Sequence, residues 1–209
     1  QRQMCIRDSA GTVYYDRFIL GEWALAEGLV YSVFDDSKNT YSTLPWDDEC
    51  GEYYISVDYG TMNPTSMGLW RIYDGKAYRI KEYYYSGRNS RKQLTDEEYY
   101  SELEQLAGDH VIQYVIVDPS AASFIAAIRR HGKYAVRAAN NAVLDGIRHT
   151  SAYINQGRIL IHSSCENTLN ELKAYRWDES AGEDKVIKEN DHAMDDMRYF
   201  VMTVLRRMM

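Results

Sequence analysis

The sequence predicts an α/β fold, a mixed β-sheet flanked by helices, and three observations lead to it. Ser66–Tyr73 and Lys76–Tyr85 are strand-like runs joined by Asp74-Gly75, the strongest short-range hairpin signal. From Thr95 onward, helical patterns alternate with short apolar strands, as they do where helices cover a sheet. Two apolar strands, Tyr53–Gly60 and Gln113–Val117, each run into an aspartate, Asp58 and Asp118.

Taken in order, residues 1–12 show no helical or strand period and are expected to be a disordered or non-native leader. The chain opens on Gln1 rather than Met, as a fragment would. Residues 13–50 carry short elements and then a polar stretch with Pro45 and Asp47-Asp48-Glu49. That stretch reads as a linker, with a domain boundary near residue 50. Residues 51–209 form the main domain. Its first strand, Tyr53–Gly60, is aromatic and β-branched, and the hairpin makes three antiparallel strands. Thr95 with Glu98 forms a capping box ahead of a buried stripe of Tyr99, Leu103 and Leu106. Strand Gln113–Val117 leads into a helix that buries Phe124, Ile125 and Ile128 and ends at Gly132. Tyr134–Ala138 is a short strand. Asn141 is expected to cap the next helix, which runs to Gly157. Arg158–His162 is another strand, and Ser163 with Glu166 opens a helix with Cys165, Leu169 and Leu172 inward. A polar loop follows from Trp177 to Asn190. The last helix, Asp191–Met209, is expected to bury Met194, Met197, Val201, Val204 and Met208 at alternating spacings of three and four.

With 209 residues, 45% of them hydrophobic and 26% charged, the chain has the composition of a globular protein. Nineteen tyrosines against four phenylalanines favour strands with one wet face. No apolar run approaches the roughly 20 residues that span a bilayer, and the first residues lack the charged-then-apolar pattern expected of a secretory leader. Cys5, Cys50 and Cys165 are odd in number and far apart, which suits a reducing compartment better than a disulfide framework. A net charge of −7 argues against a bare nucleic-acid binder. A site built of carboxylates is itself acidic until cations bind.

If the strands ending in Asp58 and Asp118 are parallel neighbours, both carboxylates emerge at one sheet edge. Such a pair repels, and one of them takes up a proton unless a cation intervenes. Oxygen ligands favour Mg2+ or Mn2+ over zinc. The last helix adds Asp191 and Asp195, four apart on one face, and His192, three before Asp195, while Asp196 falls on the other side. A third carboxylate would allow two ions about 3.5–4 Å apart, the arrangement that serves in-line attack on a phosphodiester. Each acid has a plainer alternative. Asp58 and Asp118 are also good turn formers, and acids in a first helical turn suit the helix dipole. Lys188 could orient a water or neutralise a phosphate, and Arg88, Arg91 and Lys92 could grip a nucleic-acid backbone. All four could equally be solvated surface cations. His110, His131, His149 and His162 lack ligand spacing. No phosphate-binding Gly-rich loop is present, and Ser120 has no glycine elbow for a nucleophile.

Val57-Asp58-Tyr59-Gly60 with Asn63-Pro64, Val117-Asp118-Pro119-Ser120-Ala121, and the run from Lys188 to Tyr199 with its Asp-His-x-x-Asp-x-x-Arg-Tyr order resemble one family. It is the C-terminal nuclease domain of the large terminase subunit of tailed bacteriophages. Asn140–Ile147 and Tyr175-Arg176-Trp177 support the match, and Arg17–Trp23 resembles the end of that family's ATPase domain. Asp196 stands where the family usually has alanine. The resemblance implies a ribonuclease H-like fold and a metal-dependent endonuclease that cuts concatemeric double-stranded viral DNA during genome packaging. Asp58 would bridge two Mg2+ or Mn2+ ions, Asp118 would bind one, and Asp195 would supply the third carboxylate. His192 would be an auxiliary ligand or proton carrier. Double-stranded DNA, the portal protein and the small terminase subunit are the implied partners, and the host bacterial cytoplasm the implied compartment. Another ribonuclease H-like nuclease, of resolvase or integrase type, and a catalytically silent portal- or DNA-docking module are the alternatives.

Overall fold

The computed structural model describes residues 27–47, 51–181 and 183–208. The leader, the Arg17–Trp23 stretch and Cys50 lie outside the described residues. The elements are α1 (Asp36–Asn39), β1 (Thr40–Tyr41), β2 (Glu52–Asp58), β3 (Thr65–Tyr73), β4 (Lys76–Tyr85), α2 (Gly87–Ser90) and α3 (Asp96–Ala107). There follow β5 (Ile112–Val117), α4 (Ala122–His131), β6 (Val136–Ala138), α5 (Val143–Asn155), β7 (Ile159–His162), α6 (Glu166–Ala174) and α7 (His192–Thr203).

Seven strands form one mixed sheet in the order β1-β7-β4-β3-β2-β5-β6. Pairings β2–β3 and β3–β4 are antiparallel, and the other four are parallel. Among these strands β3 therefore runs against the other six, and β2, β4 and β5 end at one edge. Asp74 and Gly75 turn the hairpin with φ of 47° and 68°, as a type I′ turn requires. The Thr95–Glu98 capping box forms in both directions, and Gly132 closes α4 at φ 71°.

Helices cover both faces. Because side chains alternate along a strand, Ile55, Val57, Val115 and Val117 pack with α3 and α4, through Leu103, Phe124 and Ile128. Tyr54, Trp70 and Ile116 pack with α5, α6 and α7, through Ile147, Leu172, Met197 and Phe200. The polar stretch before residue 47, read as linker, is tied to this body. β1 pairs with β7, Tyr31 lies in the core, and Asn39 Nδ2 donates to the carbonyls of Ile154 and Ile159.

Three local expectations need correction. Asn141 does not cap α5: its N-cap is Ala142, with no side-chain cap bond, because the Asn141 amide turns to Asp118. α6 begins after Cys165, again without a side-chain cap. The last helix ends at Thr203 and tightens into a 3-10 turn, Leu205–Arg207, so Met208 is half exposed rather than buried.

Candidate active site

The sheet alternation that buries Tyr54 and Ser56 toward α7 also turns Asp58 that way. Ile116 sets the same direction for Asp118, the first residue after β5. Val57 and Val117 are register partners on parallel strands, so both aspartates leave the sheet side by side at the edge where β4 also ends. Carboxyl ends of strands are where open α/β sheets hold their ligands.

α7 closes over that edge. His192 Nδ1 lies 2.8 Å from Asp58 Oδ2, and the Tyr199 hydroxyl lies 3.1 Å from Asp118 Oδ2 and 3.5 Å from Asp58 Oδ1. Asp118 Oδ1 accepts the Ser120 N–H at 2.7 Å. His192, Asp195 and Tyr199, spaced three and four apart, occupy one helical face. Glu171 of α6 fixes where the helix begins: its Oε2 accepts the N–H groups of Ala193 and Met194 at 2.7 and 3.3 Å, and Oε1 accepts the Tyr84 hydroxyl. These are the amides an N-cap side chain would take, and Asp191, the N-cap residue, makes no such bond.

Asp195 points to the same side, but both its oxygens are engaged. Lys188 Nζ is 3.0 Å from Oδ2 and also 3.0 Å from Asp191, while Arg198 Nη2 donates to Oδ1 at 2.7 Å. Arg198 reaches it because Gly146 leaves room on α5; a Cβ there would lie 2.4 Å from the arginine stem.

Asp196 belongs to a different environment. Fully buried, it faces the sheet and accepts from Ser56 at 3.0 Å, from Ser66, and from Arg79 Nη1 and Nη2 at 2.5 and 3.0 Å. Burial works against the Arg79 charge, but the adjacent carboxylate outweighs it and holds the guanidinium protonated. Gly68 makes the crossing possible, since a Cβ there would meet the guanidinium at 2.6 Å. One turn on, Phe200 stacks on Trp70 with centroids 4.4 Å apart. Asp196 is an anchor between α7 and the sheet.

Burial pushes the Asp58 carboxyl up, and the neighbouring His192 only partly offsets it. For His192, burial opposes the charge, but Asp58, Asp191 and Glu171 raise it above the usual imidazole range. Burial of Asp118 is outweighed by the donors on its oxygens, so its carboxyl lies below the usual range. Among the described residues no three His, Cys, Asp or Glu side chains gather closely enough to hold a metal ion. Asp58 and Asp118 lie at one sheet edge. Asp195 would complete a set only by turning from Lys188 or Arg198.

The donors nonetheless suit a hard divalent cation. They are carboxylate oxygens, each with two lone pairs, of which the bonds described occupy one or two. The desolvation that disfavours the Asp58 charge is what a cation would reverse. Of the predicted nucleic-acid contacts, Arg88 and Arg91 are exposed on the turn after β4. Lys92 pairs with Glu98 at 2.8 Å, and Lys188 sits among the acids. The Arg88–Lys92 turn lies at the Asp58 edge, where Gly87 packs against the Thr61 carbonyl. Sequence reasoning missed Tyr199, Glu171 and Arg79. The spacing of Tyr199 from Asp195 carried a signal; the other two act from distant elements.

The family model described as Terminase RNaseH-like domain matches residues 56–203. The large terminase subunit of Escherichia phage T5 is 25% identical over 205 residues, covering 92% of this chain and 46% of that protein. The structure of the large terminase from a thermophilic bacteriophage, in complex with ADP, is 46% identical with a TM-score of 0.89, over 98% of this chain and 52% of that one. The large terminase nuclease from thermophilic phage G20c, solved with bound magnesium, shares the fold at 13% identity and a TM-score of 0.63, over 83% of this chain and 96% of that one. The chain thus spans about half the length of the full-length relatives it matches. With the family model covering well over half of its residues, and the mixed sheet and its helices in the arrangement those relatives share, the chain belongs to the terminase ribonuclease H-like nuclease domain family.

Proposed function

We propose that this domain is a divalent-metal-dependent endonuclease that cuts double-stranded concatemeric viral DNA during genome packaging. The observation that carries the reading is the convergence of Asp58 and Asp118 at one sheet edge, with His192 and Tyr199 of α7 bonded across them. Asp58 and Asp118 would hold Mg2+ or Mn2+, two ions in the full set, and Asp195 would join them by releasing Lys188. When bound, the ions would activate a water and stabilise the leaving oxygen. The G20c nuclease, solved with magnesium and with cobalt bound, supports a divalent ion in this fold.

The chain's own residues bind and orient. Asp118 is held in one plane by donors on both oxygens. His192, raised above the usual imidazole range, can hold a proton beside Asp58 and pass it to a departing oxygen. Lys188, once Asp195 turns, places its ammonium beside the acids, where it can meet a phosphate. Arg88 and Arg91 extend the positive surface along the same edge, and phosphate contacts of this kind set register on a duplex. The portal protein, the small terminase subunit and the bacterial cytoplasm belong to the packaging role as partners and setting. Among the described residues no helix is long and apolar enough to cross a membrane.

The test is supercoiled plasmid incubated with Mn2+ and the purified domain, beside Asp58→Asn. Nicking and linearisation are expected, abolished by EDTA and by the substitution. Cutting that persists in EDTA would remove the metal mechanism. No cutting by a folded, Mn2+-bound domain would favour the docking module.

A further inference from the structure

Tyr199 is almost fully buried on α7, one turn beyond Asp195. Its hydroxyl does not end against backbone or solvent but between the two strand-end carboxylates, 3.1 Å from Asp118 and 3.5 Å from Asp58. A phenol has a single proton, so it donates to one carboxylate at a time, and the shorter distance selects Asp118.

A carboxylate's terminal torsion is broad and about two-fold, so an exposed aspartate presents its lone pairs in many directions. Asp118 is not left that freedom. Ser120 N–H holds Oδ1 at 2.7 Å, Tyr199 holds Oδ2, and Asn141 Nδ2 adds a longer contact to Oδ2 at 3.4 Å. On the other side of the phenol, Asp58 has its second oxygen fixed by His192. The phenol oxygen therefore lies between the two carboxylates, donating to Asp118 with Asp58 Oδ1 3.5 Å away.

We propose that Tyr199 is a positioning residue, which fixes the plane of Asp118 and its separation from Asp58 so that the pair meets a divalent cation in a preset geometry. This rests on the metal-dependent reading above. Outer-shell partners of metal-binding carboxylates act in this way, and losing one costs roughly 10–100-fold in metal affinity or activity. Mg2+ demands a near-ideal octahedron, so it should feel the loss most.

The test is Tyr199→Phe, which removes one oxygen and keeps the buried ring. Mn2+ and Mg2+ binding are titrated by calorimetry for the unaltered domain, Tyr199→Phe, Asn141→Ala and Asp58→Asn, each with its melting temperature. The expected result for Tyr199→Phe is a dissociation constant raised about tenfold or more, with a melting temperature lowered by no more than roughly 8 °C, the loss of one hydrogen bond. Plasmid nicking should fall at limiting cation and recover as cation is added. Asn141→Ala, which removes the longer contact, should give a smaller shift of the same sign. An unchanged dissociation constant for Tyr199→Phe, with or without a lower melting temperature, would overturn the proposal. If the unaltered domain binds cation and Asp58→Asn does not, that failure leaves the metal reading standing. If the unaltered domain binds none, both go.

Discussion

Asp196→Asn tests the division of labour along α7. In the folded chain Asp196 is fully buried, and its two oxygens face Arg79, Ser56 and Ser66. The amide keeps one acceptor and turns the other into a donor, so a donor would point at Arg79 or at a hydroxyl that now donates. The guanidinium stays charged, because arginine does not give up its proton in proteins. It would be a fully buried cation with no counter-charge. Breaking such a pair from one side costs about 3–5 kcal/mol, a large share of the roughly 5–15 kcal/mol that holds a domain together. In a domain this size that lowers the melting temperature by roughly 6–20 °C. Urea unfolding at pH 7, in EDTA, measures it directly. Adding Arg79→Met should recover part of the loss, since the orphaned charge goes with it. Asp195→Asn should cost less, because the Asp195 side chain is 13% exposed where that of Asp196 is fully buried, but should abolish cation binding. A loss under about 1 kcal/mol for Asp196→Asn, or cation binding lost there and kept in Asp195→Asn, would refute the assignment.

Two further outcomes follow from other parts of the site. Burial pushes the Glu171 carboxyl up to about 7 from an ordinary 4.5, so between those values the folded chain holds a proton that the unfolded chain has released. Stability from this group is therefore present at low pH and lost as pH rises toward 7. Relative to the unaltered protein, Glu171→Gln should gain on the order of 2–3 kcal/mol between pH 5 and pH 8, and a difference in urea midpoint that does not change with pH would contradict this. Arg88 and Arg91 should each contribute about one unit to the log–log salt dependence of duplex binding. The double alanine variant should lower that slope by about two, and an unaltered slope would place the duplex elsewhere.

The parts of this molecule legible in the sequence are those set by neighbours along the chain. The Asp74-Gly75 turn, the Thr95–Glu98 capping box and the alternation along β2 and β5 depend on residues a few positions apart. Once two alternating strands each end in aspartate, one further assumption, parallel pairing, places Asp58 and Asp118 together, and Val57 opposite Val117 bears it out. What the sequence hides depends on contacts across long stretches of chain. Arg79 in an alternating strand reads as a solvent-facing residue, and its burial makes sense only when Asp196, 117 positions later, lies across it. Glu171 caps a helix to which it does not belong. Asn141 has the right residue type for a cap, but its amide finds Asp118 instead. The two-residue strand β1 is too short to show a period.

Adjacent residues on α7 do unlike work because a helix turns about 100° per residue. His192, Asp195 and Tyr199 follow one line toward the sheet edge. Asp196 and Phe200 follow the next and lock onto Arg79 and Trp70. Rotating the helix to bring Asp196 to the edge would carry Asp195 past the edge, away from the sheet, unstack Phe200, and strand Arg79 in the core. On the proposed metal-dependent reading, the anchor would decide which aspartate meets a cation, without touching the site. The Asp196 carboxylate is the partner that lets β4 keep a buried arginine. A sequence in this family with alanine at that position should therefore lack the arginine opposite, and a pair of alanine and buried arginine without another acid nearby would break this account.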